Sequence, residues 1–392
     1  MKSMTKIVVT GLILAVGAMA LTSSPARADR DETRLTRLDP IIRKQADESQ
    51  KRALAYLEAS QKPDGGWEGF QGSDPAISAM IAKCFAQHRD YGPKHAVVRR
   101  AFEFMLKHVQ EDGGIYVPEL GLHNYYTSVI VMALSTSDDP EIKQVVANAQ
   151  KYLTKLQWDE GEQRDRSDVF YGGAGYGRHK RPDLSNTQMM LEALHQSGLS
   201  PEDPVFKRAQ VFISRCQMLE ETNDQAFAKG GDGGFIYSPA NGGESKAGFK
   251  PIPASESDDA KVLRSYGSMT YAGFKSLLYA QVGKDDVRVK RAIQWIRNNY
   301  TLSQNPNMPE AQSKQGLYYF FHTFARALDA WGEDVIVDKA SVRHEWRADL
   351  CRELLKLQRK DGSWVNEEDR WFESNPNLVT AYSVLALQTA TQ

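Results

Sequence analysis

One short pattern recurs along this chain and limits what it can become. A glutamine is followed by an acidic residue, one or two glycines and an aromatic residue. It reads Gln61, Asp64-Gly65-Gly66-Trp67 near the start and Gln358, Asp361-Gly362-Ser363-Trp364 near the end. Gln110 with Asp112-Gly113-Gly114 and Tyr116, and Gln217 with Asp232-Gly233-Gly234-Phe235, repeat it between. Gln157 leads more loosely to Gly172-Gly173-Ala174-Gly175-Tyr176, and another copy keeps only Gln315-Gly316-Leu317-Tyr318. Repeats of this kind bury their apolar faces on their neighbours, so the repeat dictates the fold. Paired glycines end a helix and reverse the chain. Asp satisfies nearby amides in turns. The glutamine amide stands where the last helical carbonyls lack partners, and a wedged aromatic residue buries ~150–250 Å². Gln61, Trp67, Gln358 and Trp364 are therefore expected to be clamps rather than reagents.

Each turn follows an amphipathic helix. Ile142, Val145, Val146, Ala149, Tyr152, Leu153 and Leu156 keep one apolar stripe, as do Val98, Ala101, Phe102, Met105, Leu106 and Val109, and Val289, Ala292, Ile293 and Ile296. One stripe means one buried face. A more apolar helix follows each turn, near 76–86, 125–134, 187–194, 268–280, 318–331 and 378–387, and such helices are buried on most sides. Each carries an early hydroxyl: Ser78, Thr127, Thr187, Thr270, Thr323 and Thr380. Six outer and six inner helices predict an all-α, (α/α)6 toroid. The stretch from Ser238 to Lys261, rich in Gly, Ser, Pro and Lys, reads as a loop.

The N-terminus reads differently. Lys2 and Lys6 precede an apolar run from Ile7 to Leu21, and Pro25-Ala26-Arg27-Ala28 offers a small-residue cleavage site. That is the pattern of a secretory signal. The expected organisation is a signal peptide over 1–28, a linker over 29–42 and the toroid over 43–392, with an exported, periplasmic or secreted product. The net charge of −1 lacks the basic footprint of a nucleic-acid binder. No later segment reaches the ~18 apolar residues of a membrane span. Cys84, Cys216 and Cys351 each sit in an apolar helical stretch and read as buried thiols.

With these residues on the page, the chain resembles the squalene cyclase and prenyltransferase repeat family. The Gln-x-x-Asp-Gly-Ser-Trp at 358–364 looks like the family's QW motif, and Gln61 to Trp67 matches it. The resemblance covers about residues 45 to 390 and is closest to exported bacterial members with a single toroid. It implies an αα-toroid with a central cavity; it does not by itself settle function. The family's cyclases protonate an alkene or epoxide with Asp-x-Asp-Asp. The corresponding string here is Asp183-Leu184-Ser185-Asn186, which keeps one Asp and reads better as a helix cap. Glu256-Ser257-Asp258-Asp259 is nearer in letters but sits in the polar loop. Ser137-Asp138-Asp139-Pro140 reads as the cap of the third outer helix. The prenyltransferase zinc set is incomplete: Asp349-Leu350-Cys351 offers Asp-x-Cys, but no His follows it and His344 lies at the helix start. No metal or other cofactor is expected.

What remains for chemistry lies at the starts of the inner helices. Tyr318, Tyr319 and His322 open the fifth, Tyr266 and Tyr271 the fourth, His123 and Tyr126 the second, and Trp371 precedes the sixth. An aromatic-rich concavity with a few polar groups is the usual form of a ligand site. Tyr126, Tyr266, Tyr271, Tyr318, His123 and Trp371 are the expected ligand-binding residues; Asp183, His322, Tyr319, Asp258 and Asp259 are the weaker catalytic candidates. Core packing and structural hydrogen bonding compete for all of them. The expected function is binding of an apolar, isoprenoid-like small molecule by a monomer. The alternatives are a terpene-cyclase-like isomerase or transferase, and a toroid for polysaccharide handling or protein interaction.

Overall fold

The computed structural model describes residues 38–251 and 261–392. The expected signal peptide, and Asp258 and Asp259, lie outside the described residues. Among those described there are twelve α-helices, in six pairs. The outer members are α1 (Pro40–Ala59), α3 (Ala96–Leu106), α5 (Pro140–Thr154), α7 (Pro204–Cys216), α9 (Val287–Asn298) and α11 (Trp346–Leu357). The inner members are α2 (Pro75–Ala86), α4 (His123–Leu134), α6 (Leu184–Gln196), α8 (Gly267–Tyr279), α10 (Leu317–Trp331) and α12 (Pro376–Thr391). Each inner helix packs on the next, α12 packs back on α2, and α11 packs on α1, so the ring is closed. The fold is the predicted (α/α)6 toroid, with inner helices beginning one to three residues earlier than the periodicity placed them. No helix among the described residues is long and apolar enough to cross a membrane.

Local chemistry sets the helix starts. Asp39, Asp74, Asp139, Asp203 and Asp286 cap α1, α2, α5, α7 and α9 with side-chain oxygens, and proline follows four of them at the first helical position. Four of the six repeat glutamines clamp as expected, while Gln110 donates to His108 O and Tyr116 O and Gln315 accepts from Arg370. Gln61 Nε2 donates to Gly65 O and Val97 O, both at 2.9 Å. Gln157 does the same to Gly172 O at 3.0 Å and Val205 O at 2.9 Å, and Gln217 to Gly233 O and Arg288 O at 2.9 Å. Each amide thus ties its own turn to the first turn of the next outer helix. Gln358 donates to Gly362 O at 2.9 Å and to Ser49 O at 3.0 Å, which joins the last repeat to the first.

The turn glycines have a steric reason. Gly172 has φ +85°, and a Cβ there would lie 2.0 Å from Arg208 O; at Gly362, with φ +91°, it would lie 2.5 Å from Arg52 O. The hydroxyls complete the clamp from the inner side. Ser78, Thr127, Thr187, Thr270 and Thr380 accept from the backbone N–H of Trp67, Ile115, Ala174, Phe235 and Trp364 at 2.9–3.1 Å. Thr323 departs from the set and bonds its own helix at Tyr319 O, 3.0 Å away, because its repeat has lost the turn.

The polar stretch expected as a loop is not wholly irregular. Phe249–Pro251 (β1) pairs antiparallel with Lys261–Leu263 (β2), and Val335–Val337 (β3) with Arg343–Glu345 (β4). Strands of three residues show too little alternation to be read from sequence. All three cysteines are free and buried.

Candidate functional site

Contacts that skip a helix identify what reaches the ring axis. Tyr125 on α4 and Tyr382 on α12 meet hydroxyl to hydroxyl at 3.3 Å across α2. The Tyr319 hydroxyl on α10 lies 3.2 Å from Ser185 Oγ and accepts from Gln188 Nε2 at 3.1 Å, both on α6, across α8. The Tyr319 and Tyr382 rings pack edge to face at 6.0 Å, and His322 lies nearly parallel to Tyr382 at 5.7 Å. Burial pushes all three tyrosine hydroxyls up, Tyr125 to about 12, so they remain protonated. Burial pulls the His322 imidazole down to about 3, which leaves it neutral. Its Nδ1 and Gln188 Oε1 are buried without a hydrogen-bond partner.

A second layer lies deeper. Five residues after the clamp hydroxyls Ser78, Thr187 and Thr270 stand Lys83, Glu192 and Lys275. That register turns them inward. Lys275 (0% exposed) pairs with Glu192 (1%), and Arg326 Nε on α10 donates to the same carboxylate at 2.9 Å. Gln196 Nε2 donates to Glu192 Oε1 at 2.7 Å. Lys83 Nζ donates to Met132 O at 3.3 Å and to the Gln196 side-chain oxygen. Burial alone would raise the Glu192 carboxyl; the charges of Lys275 and Arg326 outweigh it and hold it well below the usual range. Burial pulls Lys83 down to about 7, with Arg326 adding repulsion. Arg326 keeps 21% of its side-chain surface open, whereas Lys275 and Glu192 are enclosed.

The residues expected from sequence divide into two groups. His322 and Tyr319 reach the axis. Of the others that are described, most bond or pack at the helix starts, and Trp371 is exposed. Asp183 caps α6, accepting from Asn186 N and Asn186 Nδ2, each at 2.8 Å, and burial raises its carboxyl. Tyr126 donates to the α2 cap Asp74. Tyr271 wedges against Phe320 and Phe324 at 5.4 and 5.1 Å, its hydroxyl without a partner. Tyr318 packs on Phe321 at 5.6 Å, and Tyr266 is buried just before α8. His123 stacks on Tyr116 at 3.9 Å. Trp371 is 45% exposed at φ +61°, packed over Gly316, with the Arg370 guanidinium 4.5 Å from its ring centre.

Sequence reasoning missed Lys83, Glu192, Lys275, Arg326, Gln188 and Tyr382. The available signal was a charge, at a fixed step from a repeated hydroxyl, inside an otherwise apolar helix. It also missed Glu373. This buried carboxylate reaches from the next loop to the uncapped start of α10, accepting from Tyr319 N at 2.8 Å, Tyr318 N at 3.3 Å and Asn366 Nδ2 at 2.7 Å. Burial raises it from 4.5 to about 7 despite these bonds. A carboxyl raised on folding stabilises fully below its unfolded value, and that contribution is lost as pH rises through the folded one. Between pH 4.5 and 7 the wild type should therefore lose about 3 kcal/mol relative to Glu373→Gln. The comparison is needed because His322, lowered on folding, slopes the other way over part of the same range. Parallel urea-unfolding profiles for the two proteins between pH 4.5 and 8 would refute this.

No protein-family model and no curated protein sequence matches the chain. Solved structures do. The type II terpene cyclase MstE from Scytonema aligns at TM-score 0.53 and 15% identity, over 89% of this chain and 98% of that one. A D-mannose isomerase aligns at 0.56 and 11%, over 88% and 96%. Cellobiose 2-epimerase from Spirochaeta thermophila aligns at 0.54 and 15%, over 91% and 98%. At these identities the likeness is one of fold: the chain is an αα-toroid similar to a type II terpene cyclase and to sugar isomerases and epimerases.

Proposed function

We propose that this protein is a small-molecule-binding toroid whose ring axis takes an isoprenoid-like ligand. The observation that carries the reading is the crossing of Tyr125, Tyr319 and Tyr382 at the axis, beside a neutral His322. Aromatic faces suit polyisoprene chains, and the hydroxyls fix orientation. Entry is favoured from the end where the inner helices begin. There Phe70, Leu120, Tyr176, Phe249 and Trp371 are exposed on the loops leading into α2, α4, α6, α8 and α12. Exposed apolar groups gathered at one end mark an interaction site. The structurally similar MstE has been seen with geranylgeranyl dihydroxybenzoate as substrate, which supports an isoprenoid over other apolar molecules. The reading is one of binding. Asp183 has both oxygens engaged by Asn186, and no second carboxyl of the described residues shares its site in the manner of an Asp-x-Asp-Asp acid.

A polar axis favours a second reading, a carbohydrate. Gln188, Glu192, Lys275 and Arg326 could hydrogen-bond sugar hydroxyls, and two of the similar folds act on sugars. The two readings separate by titration. Geranylgeraniol should quench the intrinsic fluorescence saturably, and Tyr319→Ala with Tyr382→Ala should weaken it by about tenfold or more, the scale of two lost aromatic contacts. Saturable stabilisation by mannose or cellobiose, with no response to geranylgeraniol, would transfer the assignment to sugars.

A further inference from the structure

We infer that the deeper axial layer is an anion seat: Lys83, Lys275 and Arg326, gathered around the carboxylate of Glu192, take the carboxylate or phosphate end of the bound ligand. This rests on the axial binding site proposed above and names the chemistry of its inner end.

The layer is built from four inner helices and one sign of charge dominates it. Lys275 and Arg326 both engage Glu192, which also accepts from Gln196. Lys83 has only neutral oxygens, those of Met132 and Gln196; among the described residues no carboxylate lies within ion-pair distance of it. Asp329, one turn beyond Arg326, accepts from Arg347 at 2.9 Å. Three basic side chains therefore face Glu192 at the axis; Lys83, pulled down to about 7, is only partly protonated near neutral pH until an anion arrives, and Asp329 acts on Arg326 from one turn further on. Buried charges are retained in proteins where they are paired or hold a ligand. The excess also has somewhere to act, since Arg326 remains partly open. Two further groups await a partner between the layers: Gln188, buried, with a free Oε1, and the Nδ1 of His322.

The spacing fits a ligand with two ends. Tyr319 and Arg326 are seven residues apart on α10, about 10 Å along a helix. An isoprenoid chain against the tyrosines would place an acidic terminus among the cations. Arg offers a planar fork and Lys a point charge, the two usual modes of binding carboxylate and phosphate.

The test is calorimetric titration of the full chain with four probes: geranylgeraniol, geranylgeranoic acid, geranylgeranyl monophosphate and inorganic phosphate. The acid or the monophosphate should bind about tenfold to a hundredfold more tightly than the alcohol, the range of a charge-assisted hydrogen bond; whichever gains more identifies the anion. Lys83→Met should bring the affinities of acid and monophosphate down towards that of the alcohol, and Lys83→Arg should retain the gain, with circular dichroism confirming that both are folded. Equal binding of alcohol and anions overturns the seat and leaves the isoprenoid reading standing. Lys83-dependent binding of inorganic phosphate, with no isoprenoid bound, leaves the seat and removes the isoprenoid. Binding of none of the four removes both. The wild-type comparison decides the seat even if neither variant folds.

Discussion

Glu192→Ala should lower the unfolding free energy by about 3–5 kcal/mol, the cost of leaving buried cations without their partner. Glu192 is the one carboxylate that Lys275 and Arg326 share, and Lys275 is fully enclosed. Removing it leaves Lys275 with no anion in contact and its repulsion by Arg326 uncompensated. Lys275 would then shed its proton or draw water inward, and either response weakens the inner ring. A double change, Glu192→Met with Lys275→Met, should recover most of the loss, because replacing a buried pair by apolar residues of similar volume is often neutral. Denaturant midpoints of the three proteins, with slopes compared to check two-state behaviour, give the answer. A single-variant loss below about 1 kcal/mol would mean that the cluster is far wetter than its burial indicates.

That cluster was also the least legible part of the molecule, for a physical reason. Periodicity sorts residues into wet and buried faces, and a charge is normally assigned to the wet one. An inner helix of a closed ring has no such face: one side packs on outer helices and the flanks on neighbours, so a charge can only turn to the axis. Lys83, Glu192 and Lys275 declare this by their shared step from the clamp hydroxyls. Arg326 does not, since its repeat has lost the turn that fixes the register. Glu373 was hidden differently, because it serves α10 from a loop more than fifty residues further along the chain. The fold was readable because its determinants are local. Glycine conformation, the glutamine amide and the aromatic plug act within each repeat, and repetition made them visible several times. At the helix starts, sequence spacing does not say which residue faces the axis. Tyr126, Tyr271 and Tyr318 lie near the expected mouth, but a helix presents neighbouring residues in different directions. Tyr125 and Tyr319 reach the axis while residues beside them enter the packing between helices.

Closure of the ring yields the other large effect. Trp364→Ala should cost about 3–5 kcal/mol, in the range for deleting a buried indole from a core. Trp364 is fully buried and its Nε1 donates to Leu354 O at 2.9 Å; Trp67 is its counterpart, donating to Leu57 O at 2.6 Å. In both, the donor and acceptor are ten residues apart, and the backbone N–H donates to a hydroxyl of the following inner helix. In an open solenoid the terminal repeat has one neighbour and loosens at smaller cost than an interior one. Here the last repeat abuts the first through Gln358 and Ser49, so neither is terminal. Trp67→Ala and Trp364→Ala should therefore destabilise to within about 1 kcal/mol of each other, with a single cooperative transition in each. Trp364→Phe should cost less, since it restores most of the ring volume and forfeits mainly the indole hydrogen bond. Hydrogen exchange that showed the Trp364→Ala protein opening first in α11 and α12, with α2 to α8 still protected, would mean that the chain behaves as a solenoid whose ends merely touch.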